Sequence, residues 1–265
     1  MKFRLTARDG TLAFLQGKGG ELAAGDYAIP MQGISMILLG PGSTVSHDAL
    51  RLLAFARTAL AAVGEDGVRL YTAPPVIPDR SGHARAQARC WASPKERLAV
   101  ARRMYALRFG EFLPHRNLNV LRGIEGARMK ESYRLHAERI GVRWKGRRYD
   151  RANPSAADLP NQALNHASSA VEAAAAIAVC ATATIPQLGF IHEDPGQSFV
   201  LDVADLFRDT VTIPCAFAAA KDAEQNPTAR LERLTRKRTG ARLSSDGVIP
   251  SMIARIKSLF QDEKE

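Results

Sequence analysis

The sequence predicts an α+β protein, a small N-terminal β-rich domain followed by a larger all-α domain, and three observations predict it. Over residues 1–75 short apolar runs alternate with glycine-bearing turns, residues 72–83 carry three prolines and a glycine, and beyond them the apolar spacing becomes helical. These features divide the chain into an N-terminal unit over 1–75, a linker over 76–84 and a helical unit over 85–265.

In chain order, strands are expected over 11–15, 27–29, 35–39, 58–63 and 68–72, separated by turns such as Gly17-Lys-Gly-Gly20, Gly40-Pro-Gly42 and Gly64-Glu-Asp-Gly67. One helix interrupts them, entered at Ser46 as N-cap and running through Arg57. Past the prolines, Leu98, Val100, Ala101, Met104, Tyr105 and Leu107 fit a basic amphipathic helix, and Leu118, Leu121, Ile124, Met129 and Leu135 fit a second. An alanine-rich helix is expected over 163–181, with others around 198–208, 228–238 and 248–261.

Charge is unevenly placed. The net +10 comes from residues 76–150, which hold 18 Lys and Arg against 7 Asp and Glu, while 1–75 and 151–265 stand at +1 and −2. A basic segment of this kind draws a polyanion by counterion release. Cys90, Cys180 and Cys215 are far apart, with no metal or disulfide spacing, which fits buried thiols in a reducing, cytoplasmic setting. The start of the chain, with charges at Lys2, Arg4 and Arg8, does not read as a signal peptide. Two uncharged stretches approach bilayer length, but 27–46 is broken by prolines and glycines and 173–191 by Pro186 and Gly189, so no membrane span is expected.

Within the basic segment, Glu125 lies between Gly123 and Gly126 and shares a helical face with Leu121 and Met129, so it points toward packed structure. A carboxylate there is either paired with Arg122 or Arg128 or bound to a metal. The two glycines, each costing a helix about 1 kcal/mol relative to alanine, indicate a close approach to the backbone. A second cluster follows His192: Asp202 and Asp205 sit three apart on one helical face, with Asp209 one turn on, and they repel unless solvated or sharing a cation. His192 follows an apolar run and reads either as a satisfied core histidine or as a ligand. Together Glu125, His192 and Asp205 offer oxygen and nitrogen donors suited to Mg²⁺ or Mn²⁺.

The strings Leu121-Arg-Gly-Ile-Glu-Gly-Ala-Arg128, Gly141-Val-Arg-Trp-Lys-Gly-Arg-Arg-Tyr-Asp150, Gly189-Phe-Ile-His192 and Phe199-Val-Leu-Asp-Val-Ala-Asp205 occur in this order, with matching segments at 42–51, 63–69 and 104–111. The chain in this respect resembles the CRISPR-associated integrase of the spacer-acquisition complex, in its Cascade-linked form. The resemblance implies a metal-dependent DNA endonuclease and integrase. It places metal ligands at Glu125, His192 and Asp205, a supporting acid at Asp202, and DNA-contacting arginines at Arg80, Arg122, Arg128 and Arg208. It also implies Mg²⁺ or Mn²⁺ as cofactor, spacer-precursor and repeat DNA as substrates, a homodimer, and a small ferredoxin-like partner subunit. Two departures stand out: Gly17 falls where relatives often carry a tyrosine that stacks on the duplex end, and the chain ends soon after its last helix. A non-catalytic DNA-binding component is the alternative reading.

Overall fold

The computed structural model describes residues 3–8, 10–16, 24–30, 33–56, 58–72, 81–148, 157–193, 196–226 and 228–260. It is a mixed α+β structure with strands at the N-terminus and a mostly helical remainder. Gly17, Arg57, the prolines of the expected hinge, Arg80 and the last five residues lie outside the described set.

Strands β1 (Phe3–Arg8), β2 (Thr11–Gln16), β3 (Gly25–Ile29) and β5 (Thr44–Val45) form one sheet in the order β3-β2-β1-β5, antiparallel except for the β1–β5 pair. Strands β4 (Met36–Leu39), β6 (Ala59–Val63) and β7 (Leu70–Thr72) form a second, with β4 parallel to β6. The helix between them, α1 (His47–Phe55), is capped as expected: the Ser46 side chain accepts from the Ala49 amide. It closes the first sheet by burying Ala49 and Leu53 against Leu5 and Leu12. Strand β1 was not foreseen. Its alternation of Arg4, Leu5, Thr6, Ala7 and Arg8 looks like a charged tail in composition but has the period-two pattern of a half-buried strand.

Helix α2 (Ser81–Ala92) starts inside the segment expected to be linker, and α3 (Pro94–Phe109) and α4 (Leu118–Ile140) follow. The centre of the helical part is α5 (Leu159–Ala181), against which α6 (Ser198–Asp205), α7 (Ile213–Gln225), α8 (Leu231–Ser245) and α9 (Val248–Leu259) pack. Its alanines at 163, 167, 170, 174, 175 and 178 are buried, and their small side chains let four neighbours approach one axis. By length and composition α5 could cross a membrane, yet 56% of that apolar window is buried inside the protein, as a core helix requires. Ile177 also packs with Ala61 and Val63 of β6, joining the second sheet to the helices.

The turn at Glu65–Gly67 sits directly on α8. A Cβ at Gly240 would lie 2.7 Å from the Asp66 Cβ, so glycine is needed there for contact. Helix α7 was also not foreseen. It opens with Ile213 and Pro214 directly behind a run of threonine and valine, where propensity points to strand.

Candidate active site

Four segments meet near the C-terminal end of α3. Ser93 caps α3 by accepting from the Glu96 amide, with Pro94 at the first helical position, and Val100, Ala101, Met104 and Tyr105 seat the helix in the core. This seating brings Arg108, in the last turn, inside: its side chain is only 4% exposed. Asn117 caps α4, and Leu121, Tyr133 and Ala137 bury one face of it, so that Glu125 points at α3.

Glu125 is held by two donors. The Tyr105 hydroxyl donates to Oε2 at 2.9 Å, and Arg108 Nη1 donates a short, charge-assisted bond to Oε1. The sequence offered Arg122 or Arg128 as its ion-pair partner; the partner is Arg108. Arg122 instead donates to the Ile191 carbonyl and lies 3.6 Å from Glu193, while Arg128 pairs with Glu111 and stacks on Phe109 with its guanidinium carbon 4.7 Å from the ring centroid. Burial, then the Glu125 charge and hydrogen bond, push the Tyr105 hydroxyl far up, so it stays a donor. Apart from chain neighbours and the backbone of α4 itself, no described atom lies within 4 Å of a Cβ built at Gly123 or Gly126, so the close approach the glycines indicated is not made by the described residues.

The second half of the site is a loop and the helix that follows it. Asp202 on α6 has a fully buried carboxylate that accepts four hydrogen bonds: from the amides of Phe190 (2.6 Å) and Ile191 (3.1 Å) at Oδ2, and from the amide and ring Nδ1 of His192 (both 2.8 Å) at Oδ1. Solvation was one expected fate of the Asp202 and Asp205 pair; Asp202 is instead enclosed by backbone. Because Oδ1 accepts, Nδ1 carries the proton, which in the neutral ring leaves Nε2 as the lone-pair nitrogen, 3.8 Å from Asp205 Oδ2. The loop can close this tightly because residue 189 is glycine: a Cβ there would fall 2.6 Å from the Ser198 Cβ. Gln87, wholly buried on α2, clamps the preceding turn by donating to the Ile185 and Leu188 carbonyls and accepting from the Ile185 amide.

The regular helix expected to carry Asp209 one turn beyond Asp205 stops at Asp205. A wider π turn, Arg208–Thr212, follows. Arg208 there donates through Nε to Asp205 Oδ1 at 2.7 Å and through Nη1 to the Tyr133 hydroxyl at 3.3 Å, and Ser132 donates to Asp209. Arg108 joins the two halves: Nη1 is 3.6 Å from Asp205 Oδ2 and Nε is 3.7 Å from Asp209 Oδ2, without a hydrogen-bond partner. One guanidinium therefore faces three carboxylates. Among the described residues no three acidic, histidine or cysteine side chains are close enough together to hold an ion, and Arg108 is the group between Glu125 and Asp205. Glu172 on α5 lines a small cavity with His192, Asp205 and Arg208, and burial, aided by the Asp205 charge, raises its pKa.

Arg108, Tyr105, Gln87 and Glu172 were not among the site residues the sequence suggested. The only signal for Arg108 and Tyr105 was their place inside the matching segment at 104–111.

Two expected results follow from this geometry. Replacing Arg108 with alanine leaves Glu125, Asp205 and Asp209 without their shared cation, and should cost roughly 3–5 kcal/mol of stability in chelator-treated protein, read by urea unfolding at neutral pH. For His192, burial pulls the pKa down, but the Asp202 hydrogen bond and the charges of Asp205, Asp202 and Glu125 outweigh it, so the net direction is up. Because the folded value is raised, the stabilisation is complete below about pH 6.5 and is lost as pH rises through the folded pKa. An NMR titration of the metal-free protein should give an imidazole midpoint above 6.5, and Asp202→Asn should lower it.

Comparison with known proteins gives matches in both sequence and fold. The family model described as CRISPR associated protein Cas1 matches residues 110–247. A CRISPR-associated endonuclease Cas1 of Methanospirillum hungatei is 42% identical over 200 residues, covering 75% of this chain and 66% of the relative, so the match spans slightly less than two thirds of that protein. The crystal structure of a TtCas1–DNA complex superposes with a TM-score of 0.87 at 32% identity, covering 98% of this chain and 94% of that one. A casposase bound to integration product shares the fold, with a TM-score of 0.71 at 15% identity over 100% of this chain and 94% of that one.

Proposed function

Since the chain belongs to the Cas1 family of CRISPR-associated proteins, we propose that it is a divalent-metal-dependent DNA endonuclease and integrase that joins new spacer DNA to a CRISPR repeat. The observation that carries the reading is the His192 imidazole, fixed through Nδ1 by a buried carboxylate so that Nε2 faces Asp205. A carboxylate behind a histidine is the arrangement that orients metal-binding imidazoles.

The donor types suit Mg²⁺ or Mn²⁺, and one ion shared by all three residues requires the Arg108 guanidinium to withdraw from between Glu125 and Asp205. Glu125 and Asp205 supply hard oxygen donors and His192 Nε2 a nitrogen. Four carboxylates (Glu125, Asp202, Asp205 and Asp209) against the two guanidiniums of Arg108 and Arg208 leave an excess of two negative charges with His192 neutral. A bound ion supplies polarisation of the scissile phosphate and charge neutralisation at its oxygens.

The chain's own groups do the positioning. Asp202 fixes the His192 ring, Tyr105 holds Glu125, and Arg208 sets the Asp205 carboxylate; with its guanidinium on Asp205 and Tyr133, Arg208 serves first as a positioning residue and only then as a DNA contact. Arg122, on the rim beside Ile191, is placed to meet a backbone phosphate, and Arg128 reaches one by releasing the exposed Glu111. Arg80 is a further proposed contact. A DNA 3′-hydroxyl attacks the phosphate in line and the opposite oxygen leaves, so no protein nucleophile is needed; water in its place gives cleavage.

We read residues 1–75 as a dimerising domain, 76–84 as a linker and 85–265 as the catalytic, DNA-binding domain, with double-stranded spacer and repeat DNA as substrates and a small ferredoxin-like subunit as partner. An integration assay with a 3′-hydroxyl duplex and a repeat-bearing plasmid tests this. Joined products with Mn²⁺ and none with chelator are expected. Tight, salt-sensitive binding without joining or cleavage under any divalent ion would instead mark a DNA-binding component.

A further inference from the structure

The Arg108 guanidinium meets its three carboxylates on unequal terms. Glu125 accepts a short bond from Nη1, Asp205 Oδ2 lies 3.6 Å from the same nitrogen, and Asp209 Oδ2 lies 3.7 Å from Nε. Nε is buried without a hydrogen-bond partner, so a charged N–H donor stands idle beside a carboxylate just beyond bonding distance. Asp209 is also the open end of the arrangement: its side chain is 29% exposed against 17% for Glu125 and 14% for Asp205. It borders a cavity of about 700 Å³ between α4, the π turn, α7 and α8. The other guanidiniums lining that cavity hold different partners: Arg139 the His136 ring, Arg238 the Asp222 carboxylate and Arg242 that of Asp246. Ser132 on α4 steadies Asp209 by donating to it.

We infer that Asp209 is a second seat for Arg108: the guanidinium leaves Glu125 and Asp205 when a divalent cation binds them, and closes onto Asp209 through the idle Nε–H. The inference rests on the reading of Glu125 and Asp205 as ligands of Mg²⁺ or Mn²⁺, and deepens it by saying where the resident cation goes. A guanidinium only 4% exposed cannot be left without a counter-charge, and of the three acids facing it Asp209 alone lies outside the proposed ligand set. The move is short, since bringing Nε to about 2.9 Å from Asp209 already makes a charge-assisted bond. Without metal, Arg108 keeps the two ligand carboxylates from repelling each other. With metal, that work passes to the ion, and Arg108 and Asp209 stand beside it as a neutral pair. Both are positioning residues, which act on the reaction by setting how tightly the ion is held.

The test measures ion binding by the full chain rather than joining. In calorimetric titrations with Mn²⁺, Arg108→Gln removes the competing charge but keeps a donor for Glu125. It should bind the ion on the order of 10-fold more tightly than the wild type, the worth of one charged hydrogen bond. Asp209→Asn should weaken binding several-fold when Arg108 is present and little in the Arg108→Gln background, because the second seat matters only to a guanidinium that takes it. In ¹⁵N-arginine-labelled wild type, the Nε–H signal of Arg108, assigned by its loss in Arg108→Lys, should shift when Mg²⁺ is added. Equal weakening by Asp209→Asn in both backgrounds, or an Nε–H signal that stays put while Mg²⁺ binds, would overturn the exchange. So would an ion that binds Arg108→Gln but never the wild type, and an absence of binding in both would sink the exchange together with the proposed ligands. A wild type that exchanges Arg108 for the ion yet joins no DNA would leave this inference standing and remove the integrase reading; joining without exchange would do the reverse.

Discussion

Replacing Glu125 with glutamine is expected to lower Mn²⁺-dependent strand transfer by roughly 10³-fold or more, the equivalent of about 4 kcal/mol of barrier, with DNA binding retained. Glutamine is the informative substitution because it keeps the side-chain size and an oxygen for the Tyr105 hydroxyl, whereas alanine strands that hydroxyl and removes the direct partner of Arg108 as well. A loss confined to alanine would then speak for architecture, and a loss shared by glutamine for the missing charge. His192→Ala and Asp205→Asn should match it in a gel assay run beside fluorescence anisotropy. Full joining activity in Glu125→Gln would remove Glu125 from the ligand set.

The second large effect falls on stability. Asp202→Ala is expected to cost roughly 3–6 kcal/mol, since three loop amides and an imidazole lose their acceptor in a place with no exposure and each unpaired donor costs about 1–3 kcal/mol before water offsets part of it. Asparagine should rescue it only in part. Both Asp202 oxygens accept, so whichever one becomes an amide nitrogen faces donors with a donor. Chemical denaturation of both variants checks this; an Asp202→Asn protein as stable as the wild type would mean that the loop does not depend on the charge. Because this loop also carries His192, the same variants should lose strand transfer even where they remain folded.

Much of this was legible in the sequence where a local pattern decides structure. The glycine-bounded runs at 11–15, 27–29, 35–39, 58–63 and 68–72 became β2, β3, β4, β6 and β7, and Ser46 capped its helix. The spacing of Leu121, Glu125 and Met129 gave the right direction for Glu125, which is 17% exposed. Strand β1 hid because its arginines fall on the solvent side of an alternating pattern, and α7 because proline follows β-branched residues. The partners of the two acids were out of reach for a different reason. Helical spacing assigns Asp202 and Asp205 to one face, but only the fold supplies four donors to the first and a guanidinium to the second. Nothing in the spacing of α3 says that the last of its arginines turns inward.

The two halves of the site also differ in how far apart their parts lie along the chain. His192 and Asp202 close a loop across ten residues, so this half can form early from local search, within one folding unit. Arg108 reaches Glu125 across seventeen residues, but its contact with Asp205 spans all of α4 and α5 in the chain. Arg108 thus closes the site over a far longer stretch of chain than His192 and Asp202 do, and its contact with Asp205 is expected to form after theirs. The residues proposed to act together are in this sense gathered only in the fully docked fold, where one guanidinium meets both Glu125 and Asp205.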